Sequence, residues 1–210
     1  MKTRIVALDT TSEFGSIALV EDGATVEERE IHSPEGFGHV LFPQLQRLLQ
    51  RHGWRWELVS GYAAASGPGS FTGVRIGLAA VKGLAEASGT RAAAVSTLRA
   101  IATFGRSAGV RAAVMDARRG EVYGAVFGAG LEALGEESVG PVERWLDSLP
   151  PEAEIVTTTP ELLSNRTVTV APRALAAAIG RLARGVLTDP AELDANYVRR
   201  SDAELFWKEV

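Results

Sequence analysis

Hydrophobic and polar positions fall into blocks whose period switches between that of strands and that of helices. Ile5 to Leu8 is a continuous apolar run, the pattern of a strand covered on both faces, and it ends in Asp9-Thr10-Thr11-Ser12. Gly15 to Val20 predicts a second strand, Glu21-Asp22-Gly23 a hairpin turn, and Thr25 to Ile31 a third strand carrying surface charge. After the loop Ser33-Pro34-Glu35-Gly36, the residues Leu41, Leu45, Leu48 and Leu49 recur at helical spacing from about Gly38 to Arg51, with Pro43 starting or kinking that helix. Gly53-Trp54-Arg55-Trp56 breaks it, its tryptophans reading as packing residues, and Tyr62 to Ala65 predicts a fourth strand.

The next stretch is the most restricted in residue type. Gly67, Pro68 and Gly69 end the strand, Ser70 or Thr72 is placed to cap a helix, and Gly89 sits where that helix stops. From about Phe71 to Ala87, Val74, Leu78, Val81 and Ala85 make one apolar stripe, while Gly73, Ile76, Gly77, Ala80, Leu84 and Ala87 make a second. Arg75, Lys82 and Glu86 share one narrow line between them. A helix apolar almost all round is buried on more than one side. The second stripe, with glycines four apart, is therefore expected to meet another helix, of this chain or of a partner.

Ala92 to Val95 predicts a strand and Ser96 or Thr97 the cap of a helix reaching about Phe104, which completes a mixed sheet flanked by helices. The second half restarts the theme. Ala113 to Asp116, the turn Ala117-Arg118-Arg119-Gly120 and the strand Glu121 to Phe127 parallel the N-terminal strand, Asp and hairpin at the same offset, which suggests a duplicated domain. Pro141 to Leu149 reads as helix, Ile155 to Thr158 as strand and Arg173 to Arg184 as an Ala-rich helix. Asp194 to Asp202 is polar and aromatic without periodicity, an irregular segment.

Composition then narrows the functional classes. With 210 residues and 46% hydrophobic content the chain has material for a sizeable core, and a net charge of −4 disfavours independent, charge-driven binding of nucleic acid. There is no cysteine for a thiolate nucleophile, and the three histidines, His32, His39 and His52, lack zinc-site spacing. No Gly-x-Ser-x-Gly elbow is present, so Ser70 reads as a helix cap rather than a nucleophile. The first apolar run is too short for a signal peptide and none reaches spanning length, so a cytoplasmic location and no membrane contact are expected. Asp9 and Asp116 are the candidate cofactor-binding residues: facing hairpins that end in Asp can hold metal and nucleotide phosphate, although Asp at a strand end more commonly caps its own turn. Thr10-Thr11 stand where a phosphate approach would favour glycine.

The run from Ser66 to Gly77, with Lys82-Gly83-Leu84-Ala85 after it, resembles the signature of the TsaB family of tRNA threonylcarbamoyladenosine biosynthesis. Leu8-Asp9-Thr10-Thr11, a helix with His39 and Pro43, Met115-Asp116-Ala117-Arg118 and the late Tyr197-Val198-Arg199 follow in that family's order. The resemblance implies a duplicated α/β fold of the actin-like, Hsp70-like (ASKHA) type, with an N-terminal lobe at residues 1–100 and a C-terminal lobe with an irregular tail at 101–210.

It also implies a non-catalytic scaffold, without metal or cofactor, that supports TsaD as TsaD threonylcarbamoylates the adenosine beside the anticodon in tRNAs reading codons that begin with adenine. TsaD would dock on the two N-lobe helices, at His39, Phe42, Leu45 and Leu49 of the first and at Gly73, Ile76, Gly77, Ala80 and Leu84 of the second. The ATPase TsaE would join them and tRNA would be met only through the complex; without its partner, the exposed apolar helix face is expected to drive the isolated chain into a homodimer. The alternative is an autonomous Mg-nucleotide-dependent phosphotransferase or hydrolase of the same fold, built on Asp9 and Asp116.

Overall fold

The computed structural model describes residues 2–199. The first sheet contains β1 (Arg4–Asp9), β2 (Phe14–Glu21), β3 (Ala24–His32), β4 (Gly61–Gly67) and β5 (Arg91–Ser96), in the order β3-β2-β1-β4-β5. β1, β2 and β3 are antiparallel neighbours, whereas β1, β4 and β5 run parallel. The second sheet contains β6 (Arg111–Arg118), β7 (Glu121–Phe127), β8 (Ser138–Pro141), β9 (Glu154–Thr157) and β10 (Thr169–Val170), in the order β10-β9-β6-β7-β8. Its first strand again lies in the middle, with antiparallel partners on one side and parallel ones on the other. The duplication read from two hairpins thus extends to both whole sheets. The fold is a two-lobe α/β architecture of mixed sheets.

Among the described residues five α-helices complete the layers: α1 (Leu41–Arg51), α2 (Phe71–Ser88), α3 (Thr97–Ala102), α4 (Val142–Asp147) and α5 (Ala176–Ala183). Strand alternation decides which residues meet them. Val6, Leu8, Ile17 and Leu19 pack with Leu41, Leu45, Leu48, Val74, Leu78 and Val81 of α1 and α2. Ile5, Ala7, Ala18 and Val20 point the other way, into a core shared with α3, α5 and the second sheet through Met115, Phe127 and Val156. That double burial is why β1 is apolar at consecutive positions. Trp145 and Leu146 of α4 cover the outer face of the second sheet with Val114 and Val122.

α5 is seated against the first sheet, where a Cβ on Gly180 would lie 2.7 Å from a Val20 methyl carbon. Its leading amides are satisfied across the fold. Leu175 and Ala176 N–H donate to Ser16 Oγ at 3.1 and 2.9 Å, and Ala177 N–H donates to Glu28 Oε1 at 2.8 Å. An anionic acceptor at that end also complements the helix dipole. The helix expected from about Gly38 begins at Leu41, because residues up to Val40 are taken up in a turn closed by Val40 N–H to Phe37 O. Pro43 falls in the first helical turn, where a missing N–H is tolerated.

Candidate functional site

Between the sheets lies a cavity of about 810 Å³, lined from the first lobe by the Asp9–Phe14 turn and the Pro68–Val74 loop, and from the second by Met115–Arg119. Asp9 and Asp116 therefore do face one cleft. Each is bound into its own turn. Thr11 N–H and Oγ1–H donate to Asp9 Oδ1 at 2.9 and 2.7 Å, and Arg118 N–H donates to Asp116 Oδ1 at 2.6 Å. In both cases the donor lies two residues on, the local turn that short acidic side chains favour.

The two carboxylates differ in environment. Asp9 is only 2% exposed, and burial pushes its pKa from the ordinary 3.8 up to about 6; the negative charge of Glu28 adds to the rise and the Thr11 hydrogen bonds oppose it. Asp116 is partly open, with an Arg118 guanidinium nitrogen 3.6 Å away.

The Gly67–Gly73 loop is occupied from within the chain. A Cβ on Gly73 would lie 1.9 Å from Thr10 O, one on Gly77 2.6 Å from Thr10 Oγ1, and one on Gly69 2.6 Å from Thr11 Cβ. Thr10 Oγ1 also donates to Gly73 O at 2.7 Å, and Ser70 N–H donates to Thr11 O at 2.6 Å. The close backbone approach expected of Gly73 and Gly77 exists, but the turn after β1 makes it, not a second helix. Thr10 and Thr11 of the turn after β1 are thus packed against that loop, and neither is the glycine that a phosphate approaching their own backbone would favour.

Ser70 is the N-cap of α2, accepting from Gly73 N–H at 3.2 Å, and the helix ends at Gly89 in the left-handed conformation, φ 62°. The histidines stand apart: His32 stacks on Phe14 with ring centres 4.4 Å apart, His52 Nε2 lies 2.6 Å from Glu27, and His39 is exposed. Among the described residues no group of three or more His, Asp or Glu is placed to hold a metal ion.

The expected partner face divides by burial. Leu45, Leu49, Gly73, Gly77 and Ala80 are buried within the chain, Ile76 and Leu84 are half-buried, and His39 and Phe42 are exposed. Two exposed residues that the sequence did not single out lie on α2, Phe71 and Arg75. Arg75 Nε–H donates to Tyr197 Oη at 2.8 Å, and its guanidinium carbon is 3.6 Å from the Phe71 ring centre. The helical signal hid them, because Arg75 counted only as one of the few charges on α2. The aromatic character of the aperiodic tail was the available clue.

A family profile described as TsaD, tRNA N6-adenosine threonylcarbamoyltransferase, matches residues 35–179. The tRNA threonylcarbamoyladenosine biosynthesis protein TsaB of Escherichia coli (strain K12) is 38% identical over 127 residues, 59% of this chain and 54% of that protein. The chain spans about half the length of the curated relatives it matches. A Pseudomonas aeruginosa crystal structure, of a protein with similarity to the peptidase YeaZ, matches with a TM-score of 0.78 at 28% identity, covering 94% of this chain and 100% of that one. The activator of 2-hydroxyisocaproyl-CoA dehydratase from Clostridium difficile, with bound ADPNP, matches with a TM-score of 0.54 at 10% identity over 87% and 94% of the two chains. That last likeness is one of fold alone.

Proposed function

The chain belongs to the family of TsaD, tRNA N6-adenosine threonylcarbamoyltransferase, and within it to the TsaB proteins, and from that premise we propose that it is a non-catalytic subunit in tRNA threonylcarbamoyladenosine biosynthesis. It supports the catalytic paralogue TsaD, which docks on the N-lobe helices α1 and α2. TsaE joins the pair, and tRNA is engaged through the complex.

The observation that carries the non-catalytic reading is the turn after β1, where Thr10 and Thr11 are packed against Gly69, Gly73 and Gly77, with both cleft carboxylates accepting from their own turns. A phosphate held against that turn would need close backbone approach, for which glycine is the usual residue. Here the approach is taken by the protein itself. Docking is supported by Phe42 and Phe71, large apolar side chains 48% and 40% exposed on α1 and α2.

Calorimetry with ATP and magnesium tests the catalytic side: we expect no tight binding by the isolated chain. Tight binding that Asp9→Ala abolishes would favour an autonomous phosphotransferase or hydrolase instead. Light scattering tests the other expectation, a homodimer of the isolated chain at micromolar concentration, and a monomer there would count against it.

A further inference from the structure

The segment after α5 crosses both lobes. Leu193 is buried in the core beneath α1 and α2. Asn196 N–H donates to Ser66 O at the end of β4, 2.7 Å away, and Asn196 Nδ2 donates to Glu137 Oε2 at 2.6 Å. The other Glu137 oxygen accepts from Ser96, the cap of α3. Arg199 donates to Ala117 O at 2.7 Å and pairs with Glu121 of β7. Residues 193–199 thus form a strap fastened to the first lobe at one end and the second at the other.

Between these fastenings the strap delivers Tyr197 onto α2. Its ring centre is 5.1 Å from that of Phe71, and its hydroxyl accepts from Arg75. Arg75 lies against both rings, yet it has no carboxylate partner among the described residues. Phe71 and Tyr197 remain 40% and 45% exposed.

An arginine fixed by one hydrogen bond and an aromatic face has already lost part of the freedom that binding would cost it. Its remaining donors suit a carboxylate, which a guanidinium grips with two parallel bonds. Exposed aromatic and arginine side chains in one cluster have the composition of an interface hot spot. We propose that Phe71, Arg75 and Tyr197 form a recognition patch for a carboxylate-bearing segment of a protein partner, and that the strap makes the patch depend on the two lobes staying joined. The identity of that partner as TsaD rests on the docking reading above.

The test measures TsaD binding and self-association of the full chain side by side, by calorimetry and light scattering, for wild type, Arg75→Glu and Arg75→Lys. We expect Arg75→Glu to weaken TsaD binding about tenfold or more and Arg75→Lys to weaken it less, since lysine keeps the charge without the fork. Equal TsaD affinity in wild type and Arg75→Glu would overturn the patch and leave the docking reading standing. A wild-type chain that ignores TsaD but self-associates, with Arg75→Glu remaining monomeric, would overturn the docking reading and make a second copy the occupant. No association of either kind would overturn both. The strap is tested without any partner, by hydrogen exchange in Glu137→Ala, which removes the acceptors of both Asn196 Nδ2 and Ser96 Oγ. We expect faster exchange at residues 71–75 of α2 as well as near Asn196; unchanged exchange at 71–75 would overturn the link between patch and lobes.

Discussion

Asp9 shows how one buried side chain couples the cleft to pH. Between roughly pH 4 and pH 6 the folded protein holds a proton that the unfolded chain has released, since burial lifts the folded pKa to about 6. Folding then takes up a proton, so this group's contribution to stability is greatest below the unfolded value and falls as pH rises through the folded one. The gap from 3.8 to about 6 corresponds to about 3 kcal/mol at neutral pH. Asp9→Asn keeps an oxygen to accept from Thr11 and removes the buried charge. We expect it to be more stable than wild type by about 2 kcal/mol at pH 7.5 and equal to it near pH 3.5, as read by urea unfolding. Parallel stability profiles for the two proteins would show that the Asp9 charge is not being suppressed by burial. The position of this aspartate at a strand end was legible in the sequence. Its environment was not, because Glu28 and the burial come from neighbouring strands.

At the scale of elements, α2 separates what short-range chemistry declares from what the fold supplies. Its cap and stop, Ser70 and Gly89, were legible because each acts within one helical turn. The occupant of the space over Gly73 was not, since Thr10 lies 63 residues away in sequence. The two helical glycines at the ends of that contrast give a direct test. Nothing lies within 4 Å of a Cβ on Gly83, so Gly83→Ala gains helix propensity and should stabilise by about 0.5–1 kcal/mol. On Gly73 the same methyl meets the Thr10 carbonyl, a backbone atom, and overpacking should outweigh propensity, with a net loss of about 1–3 kcal/mol or more. Thermal unfolding of the pair would contradict this packing if both substitutions stabilised. α5 makes the same point, for its Ala-rich run announces a helix but not that Ser16 and Glu28 cap it from β2 and β3.

For the whole molecule, two hairpins ending in Asp were enough to suggest duplication, and both sheets follow one strand order. The seating of α5 on the first sheet and the strap from Leu193 to Arg199 were beyond sequence patterning. Both depend on hydrogen bonds between residues far apart in the chain, and the strap has no period to read. The strap sets Tyr197 against Phe71 of α2 at the edge of the cavity, whereas the turns at Asp9 and Asp116 are closed by bonds only two residues long. The most direct test is a reconstituted reaction containing TsaD, TsaE, ATP, a supply of threonylcarbamoyl-adenylate and tRNA, scored for the modified nucleoside with and without this chain. We expect product to depend on the chain and to be little changed when Asp9→Asn replaces wild type. Product forming equally without the chain, or lost with Asp9→Asn despite intact folding and TsaD binding, would contradict a non-catalytic supporting subunit.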